Sequence, residues 1–189
     1  MTTITRSLRM LIVMTIMTGV IYPLVITGIA MICFPVKSTG SLVYSQGRVI
    51  GSELIGQKFT FPGHFHGRPS FCDYSTLPSQ GSNWGPGNSV YLSTLKQRAV
   101  NYREENNLSS VQVLPPDAIT FSASGLDPHI SLENALLQVS RVATARRIPE
   151  NKVKQILFVE AARDKAIFQK PVVNVMKLNV ALDSVGGIY

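Results

Sequence analysis

The chain is predicted to be an α+β protein with one N-terminal transmembrane helix followed by a single mixed α/β extracytoplasmic domain, and three observations predict this. The first is Met10 to Phe34, 25 consecutive residues without a charged side chain. The second is residues 35–189, where stretches with apolar side chains at helical spacing alternate with short β-branched runs and Gly/Pro breakers. The third is the brevity of residues 1–9, too few to fold, so that all folded mass follows the apolar stretch.

As a helix rising about 1.5 Å per residue, Met10 to Phe34 runs roughly 37 Å, enough to cross a hydrocarbon core of about 30 Å with some tilt. Its twelve Leu, Ile, Val and Phe residues contribute about −4 to −7 kcal/mol to insertion before polar costs. Thr15, Thr18 and Thr27 reduce that sum little, because a threonine hydroxyl can return its hydrogen bond to the helix backbone. The competing reading is a cleaved signal peptide, with Thr2 to Arg9 as its basic leader and Gly28-Ile29-Ala30 as small residues for a peptidase. An h-region of about 7–15 residues is much shorter than this stretch, which favours a retained anchor. Within the span Pro23 lacks an N–H and presses on the carbonyl of Gly19, which predicts a kink. Thr15 and Gly19 form a small-xxx-small pair on which another helix could pack, although a plain tether with an incidental proline reads equally well.

Arg6 and Arg9 before the span and Lys37 and Arg48 after it make the positive-inside comparison nearly a tie. Large domains translocate largely regardless of charge, so residues 1–9 are expected as a cytoplasmic tail, 10–34 as the span and 35–189 as an extracytoplasmic domain. The net charge is +7. Without Arg6 and Arg9, 16 basic residues face 11 acidic ones, leaving about +5 on the domain. The basic residues are scattered, only Arg146-Arg147 being adjacent, and no arginine-rich run or aromatic RNA motif points to nucleic acid. A diffuse positive surface suits anionic membrane lipid or an acidic partner. Cys33 and Cys72 could be bridged only if the domain folded back on the span.

Beyond the linker Pro35 to Ser41, the runs Leu42-Val43-Tyr44 and Val49-Ile50 flank Ser45-Gln46-Gly47-Arg48 and predict a β-hairpin. Ser52 to Gln57 reads as one helical turn, and Phe59, Phe61 and Phe65 as an extended segment burying one face. Gly63 to Asn88 is rich in Gly, Pro, Ser and Asn and reads as a long loop. Its Trp84, the only tryptophan, is either an exposed anchor or a plug tying the loop to the core, the plug being favoured because a lone large aromatic is usually buried. Asn88 or Ser89 caps a helix to about Glu105, with Leu92, Leu95, Ala99 and Tyr102 inward and Lys96, Arg98 and Arg103 outward. After the breaker Leu114-Pro115-Pro116, Ala118 to Ser122 reads as extended. Ser131, with Glu133 in the first turn, caps a helix ending near Arg147 whose apolar stripe is Leu132, Ala135, Leu136, Val139, Val142 and Ala143. Pro149 opens another helix, carrying Val153, Ile156, Leu157 and Val159. Val172 to Val175 reads as a strand and Met176 to Leu182 as a last helix.

No P-loop, spaced GxGxxG or GxSxG elbow occurs, so no catalytic residue is assigned. Asp164-Lys165-Ala166 shares only its first two residues with the DKTG phosphorylation site of P-type ATPases, and Val185-Gly186-Gly187-Ile188-Tyr189 only vaguely echoes a potassium filter. His64 and His66 are spaced to share one face of a strand, but without a third ligand nearby they are read as ordinary loop histidines, and no metal is expected. The loop Ser124 to Ser131 holds Gly125, Pro128 and a helix start whose free N–H groups suit an anion. The alternative is that this loop only caps its helix while Asp127 satisfies neighbouring amides.

Several long motifs in order resemble one known family. They are Gly51-Ser52-Glu53-Leu54-Ile55-Gly56-Gln57, Phe65-His66-Gly67-Arg68-Pro69-Ser70, Gly81-Ser82-Asn83-Trp84-Gly85-Pro86, Ser122 to Ser131, Gln138-Val139-Ser140-Arg141-Val142-Ala143 and Val173 to Asn179. With the amino-terminal span they cover nearly the whole chain and are similar to the C chain of the bacterial Kdp potassium-transporting ATPase. Two departures are mild: Trp84 stands in place of an aliphatic residue and Ser140 in place of proline. The resemblance implies a single-pass accessory subunit of the plasma (inner) membrane with its domain outside. Its implied partners are a channel-like A chain holding the ion path, a P-type ATPase B chain carrying the phosphorylated aspartate, and a small F chain. It also implies a catalytic-chaperone role that raises affinity for ATP, with Gln138 likened to the glutamine of an ABC signature; Ser124 and Ser131 are the other candidate nucleotide contacts. A domain outside the membrane cannot touch a cytoplasmic nucleotide, so the residues are expected to serve assembly and steadying of the channel-like chain near its ion entrance, with no cofactor of their own.

Overall fold

The structure, a computed structural model, describes residues 2–163 and 170–185. Asp164-Lys165-Ala166 and positions 186–189 of the carboxyl-terminal motif lie outside the described residues. The chain divides into two units, Met1–Leu42 and Val43–Tyr189.

The first unit is dominated by an uninterrupted helical run, Thr3–Cys33, long and apolar enough to cross a membrane. It comprises α1 (Thr3–Ile16), a π turn (Met17–Ile21) and α2 (Tyr22–Cys33), followed by the short α3 (Pro35–Ser38). The helix thus starts before the apolar stretch and carries Arg6 and Arg9 on its first turns. Pro23 is accommodated by this wide turn: the Tyr22 N–H donates to the Met17 carbonyl five residues back, which is how a π bulge absorbs a local break in the i→i−4 ladder. The Thr18 hydroxyl donates to the Met14 carbonyl at 2.7 Å, the back-bonding expected of threonine in an apolar helix.

The second unit begins in the hairpin of β1 (Leu42–Ser45) and β2 (Arg48–Ser52). Gln46 and Gly47 both take positive φ, 49° and 75°, the two-residue turn whose twist matches antiparallel strands. The helical turn expected at Ser52 to Gln57 does not form. β2 runs to Ser52, whose hydroxyl accepts from the Leu54 N–H at 3.1 Å, a local side-chain bond that competes with helix. The phenylalanine alternation fails at Phe61, which is 38% exposed while Phe65 is fully buried, because a tight turn with the His64 N–H on the Phe61 carbonyl interrupts the extended run. Trp84 is half-buried and meets Phe71, Tyr91 and Phe121 edge to face, so it ties the long loop down.

α4 (Ser89–Glu105) is capped by Asn88, which accepts from the Val90 and Tyr91 N–H groups. Its inner face differs from the expected apolar one. Leu92 is exposed, whereas Arg98 lies over the Phe121 ring, 3.5 Å from its centroid. The run expected as extended, Ala118 to Ser122, starts inside a short helix, α5 (Pro116–Ile119), because Pro116 pre-sets a helical φ where its missing N–H is not needed. His129–Ser131, read as loop, forms β3 and pairs antiparallel with β4 (Val172–Asn174) in the register His129 to Asn174, Ile130 to Val173 and Ser131 to Val172.

α6 (Leu132–Arg146) follows β3 directly, with Ser131 as its cap. It ends in a Schellman closure, the Ile148 N–H on the Ala143 carbonyl, with Arg147 at φ 55°. α7 (Glu150–Arg163) and α8 (Val175–Val185) complete the layer. The core gathers Phe65, Ile130, Val139, Val142, Val153, Leu157, Val173, Leu178 and Leu182 between these helices and the β3–β4 pair. Leu136 and Val159, assigned to the apolar stripes, are exposed.

Candidate functional site

Polar residues recur at the cap of α6 and along it, at positions 131, 134, 138 and 141, one helical face, and form a ladder beneath the segment Pro62 to His66. The Gln138 carboxamide, 1% exposed, is used at every position. Its Oε1 accepts from the His66 N–H and from Arg141 Nη2, both at 2.8 Å. Its Nε2 donates to the His66 carbonyl at 3.1 Å and to Asn134 Oδ1 at 3.0 Å. On the other side of the same backbone, buried Asn179 of α8 treats Phe65 alike, accepting from its N–H at 2.8 Å and donating to its carbonyl at 3.0 Å. Two carboxamides therefore stand where neighbouring strands would stand, and each satisfies one residue's donor and acceptor.

Arg141 extends the ladder. Its guanidinium donates to the Pro62 and His64 carbonyls and to Asn106 Oδ1, and Arg146 donates to the Gly63 carbonyl. Glu105 sits 2.6 Å from His66 Nδ1 and 3.9 Å from Arg141 Nε. The His66 hydrogen bond, outweighing burial, holds the Glu105 carboxyl below the usual carboxylate range. Burial raises the Tyr102 phenol, whose hydroxyl donates to Asn134 Oδ1 at 2.6 Å.

The start of α6 is occupied from within. Asp117 accepts from the Ser131 N–H at 2.8 Å, from the Ser131 hydroxyl at 2.9 Å and from Asn134 Nδ2 at 3.0 Å. Ser131 Oγ in turn accepts from the Asn134 N–H. A carboxylate of the chain itself thus lies where an external anion would complement the helix dipole. Asp127 bonds the His129 N–H and Arg68 Nη1, each at 3.0 Å. Burial pushes its carboxyl up, but the bonds from His129 and Arg68 outweigh this and hold it low. Ser124 is exposed and turns its Oγ to the Leu126 N–H. Asn134 therefore joins Gln138 and Ser131 in one network, and Ser124 stands outside it.

Beside the ladder lies a cavity of about 220 Å³ whose lining includes Lys58, Arg68, Arg98, Tyr102, Glu105 and Arg141. Three of its four cations have carboxylate partners: Lys58 with Asp73, Arg68 with Asp127, and Arg141 with Glu105. Over it Tyr74 donates to the Arg68 carbonyl at 2.6 Å; burial, with Asp127 and Asp73, pushes its phenol up to about 12. Each histidine turns to a carboxylate, His64 to Asp183, His66 to Glu105 and His129 to Asp127. Among the described residues no group of three or more His, Cys, Asp or Glu side chains could hold a metal ion. Cys33 and Cys72 are both free thiols.

Sequence reasoning did not find Glu105, Asn134, Asp117 or Asn179, although the polar recurrence along α6 was a readable signal for a face turned to backbone. The motifs themselves converge. Gly56 donates its N–H to the Leu126 carbonyl at 2.8 Å, and a Cβ there would come within 2.6 Å of the Asp127 carbonyl oxygen. Gly81 packs as closely on the Ala123 carbonyl, and Gly125, at φ 74°, on Cys72 and Gln80.

The class the structure defines is that of proteins with one amino-terminal helix long and apolar enough to cross a membrane, followed by a mixed α/β unit. Residues 4–184 match the family described as KdpC, K+-transporting ATPase, c chain. The chain is 44% identical over 180 residues, 94% of its length and 95% of the relative's, to a protein of Mycobacterium tuberculosis (strain H37Rv) named potassium-transporting ATPase KdpC subunit. Proteins of the same name in Caldanaerobacter subterraneus subsp. tengcongensis, 41% identical over 180 residues, and Photorhabdus laumondii, 43% identical over 182 residues, are covered to 93% and 94% of their lengths. The chain belongs to the KdpC family.

Proposed function

We propose that this chain is a non-catalytic accessory subunit of an ATP-driven potassium import complex of the bacterial inner membrane. Thr3–Cys33 anchors it with the amino terminus in the cytoplasm, and the α/β unit lies outside, where it assembles and steadies the channel-like A chain and the P-type ATPase B chain, together with the small F chain. The observation that carries this reading is Gln138, whose carboxamide is fully engaged by His66, Asn134 and Arg141. A group that must meet a ligand has to give up such bonds, and each orphaned buried partner costs about 1–3 kcal/mol. Family membership and the names of the relatives support the association with a potassium-transporting ATPase.

The alternative, a subunit that co-binds ATP and raises the affinity of the ATPase chain, draws on the basic cavity beside Gln138. That cavity, about 220 Å³, is smaller than the roughly 300–1,000 Å³ of most ligand sites, and Ser124 lies apart from it. Titration calorimetry of the full chain in mild detergent with ATP, run beside affinity capture of the intact chain from membranes, tests the two. The expected result is no saturable heat and co-purification of the other chains of the transporter. Tight ATP binding that Gln138→Ala abolishes overturns the reading. Protease applied to sealed right-side-out vesicles is expected to cleave the α/β unit, and protection would reverse the topology.

A further inference from the structure

We infer that the β1–β2 hairpin rests in the headgroup layer of the leaflet from which the amino-terminal helix emerges, and that its ligand is anionic phospholipid. The hairpin forms a two-stranded sheet of its own. Isolated two-stranded hairpins are marginal in water, yet this one presents apolar side chains outward: Tyr44 is 59% exposed, Val49 54%, and Leu42 and Ile50 37% each. The two-residue turn places Tyr44 opposite Val49, so a phenol and a β-branched side chain form one outward pair. Tyrosine in such a setting favours the boundary between acyl chains and water, its ring apolar and its hydroxyl wet.

Charge and tether length select lipid as the occupant. Between Cys33 and Glu53 the only charged residues are Lys37 and Arg48, so the linker and the hairpin carry one sign only. Eight residues, 34–41, separate Cys33 from Leu42, at most about 28 Å of extended chain, and four of them are taken up by the helical turn Pro35–Ser38. Lys37 precedes the hairpin in the chain and Arg48 opens its second strand beside the exposed Val49, and each suits a phosphate oxygen. The inference rests on Thr3–Cys33 being a retained span, but not on which side of the membrane the α/β unit occupies.

The test uses the full chain carrying Trp84→Phe and Tyr44→Trp, so that position 44 holds the sole tryptophan. It is reconstituted into vesicles of phosphatidylcholine alone or mixed equally with phosphatidylglycerol, with brominated acyl chains as quenchers. In the mixed vesicles the emission is expected to shift to the blue and be quenched, and Lys37→Gln or Arg48→Gln each to lower the bound-to-free ratio about fivefold. A tryptophan placed instead at Val111, 84% exposed in the parent, is expected to stay water-like. Hydrogen exchange of the unaltered chain gives a second readout, with slower exchange at 42–52 on anionic than on zwitterionic bilayers. Retention after an alkaline carbonate wash with a water-like, unquenched tryptophan at position 44 overturns the inference while leaving the span intact; release by the wash overturns both. Equal quenching at position 111, or shielding at position 44 only when the transporter's other chains are present, also overturns it, the latter in favour of a protein partner.

Discussion

Replacing Gln138 with leucine isolates the contribution of the polar ladder. The substitution keeps the side-chain volume close but removes four hydrogen bonds. Asn134 Oδ1 retains the Tyr102 hydroxyl and Arg141 Nη1 retains its carbonyl acceptors, so the groups left without a partner are the N–H and carbonyl of His66 and Arg141 Nη2. Three orphaned groups at about 1–2 kcal/mol each, the lower part of the usual range, with a small gain from the added apolar surface, give a loss of about 3–5 kcal/mol. For a unit of this size that lowers Tm by roughly 8–18 °C. Thermal melts of the full chain in detergent, followed by near-ultraviolet circular dichroism at Trp84, measure it. A fall of under about 2 °C would refute the reasoning, because a carboxamide so easily dispensed with would be available for a ligand instead.

Asn179→Leu removes the matching pair of bonds to Phe65 and is expected to cost about 2–4 kcal/mol in the same melts; a neutral result would locate the stability of this segment elsewhere. Glu105 and Asp127 are both held below their ordinary values. Their stabilisation is therefore full above the unfolded carboxylate range, about pH 4, and drains away as pH falls through the lower folded values. Tm should fall on acidification below about pH 4, less steeply in Asp127→Asn, and an unchanged acid limb in that variant would contradict the assignment. In alkali, Tyr74, pushed up to about 12, and Tyr102, raised by burial, are expected to stay protonated near pH 11, so phenolate absorbance should climb further when the protein is denatured at that pH. If all accessible absorbance appears in the folded protein, those two phenols are not buried as described.

Local signals carried much of this fold. Charge-free composition marked the long apolar helix, Gln46-Gly47 marked the hairpin, and Ser131 with Glu133 marked the start of α6, each being a property of a few neighbouring residues. What was hidden depends on partners far along the chain. β3 is three residues long and exists because Val172–Asn174 lies beside it, so nothing within His129–Ser131 distinguishes it from loop. Arg98 was placed outward by its charge, but the Phe121 ring and the Ile119 carbonyl receive its guanidinium. The site divides in the same way. Gln138, Ser131 and the Phe65 to Ser70 motif were visible as words in the sequence, whereas their meeting through Asn134 and Asp117 required the fold.

Phe65 and His66 carry one further implication. Where a strand is flanked by other strands, the pattern of donors and acceptors continues outward and offers an edge that a foreign chain can extend. Here each flank is a single side chain that ends after one residue, so the pairing cannot propagate and presents no template for stacking. The α/β unit has in this way obtained an extended stretch of backbone at its centre with no edge there for a further strand to join.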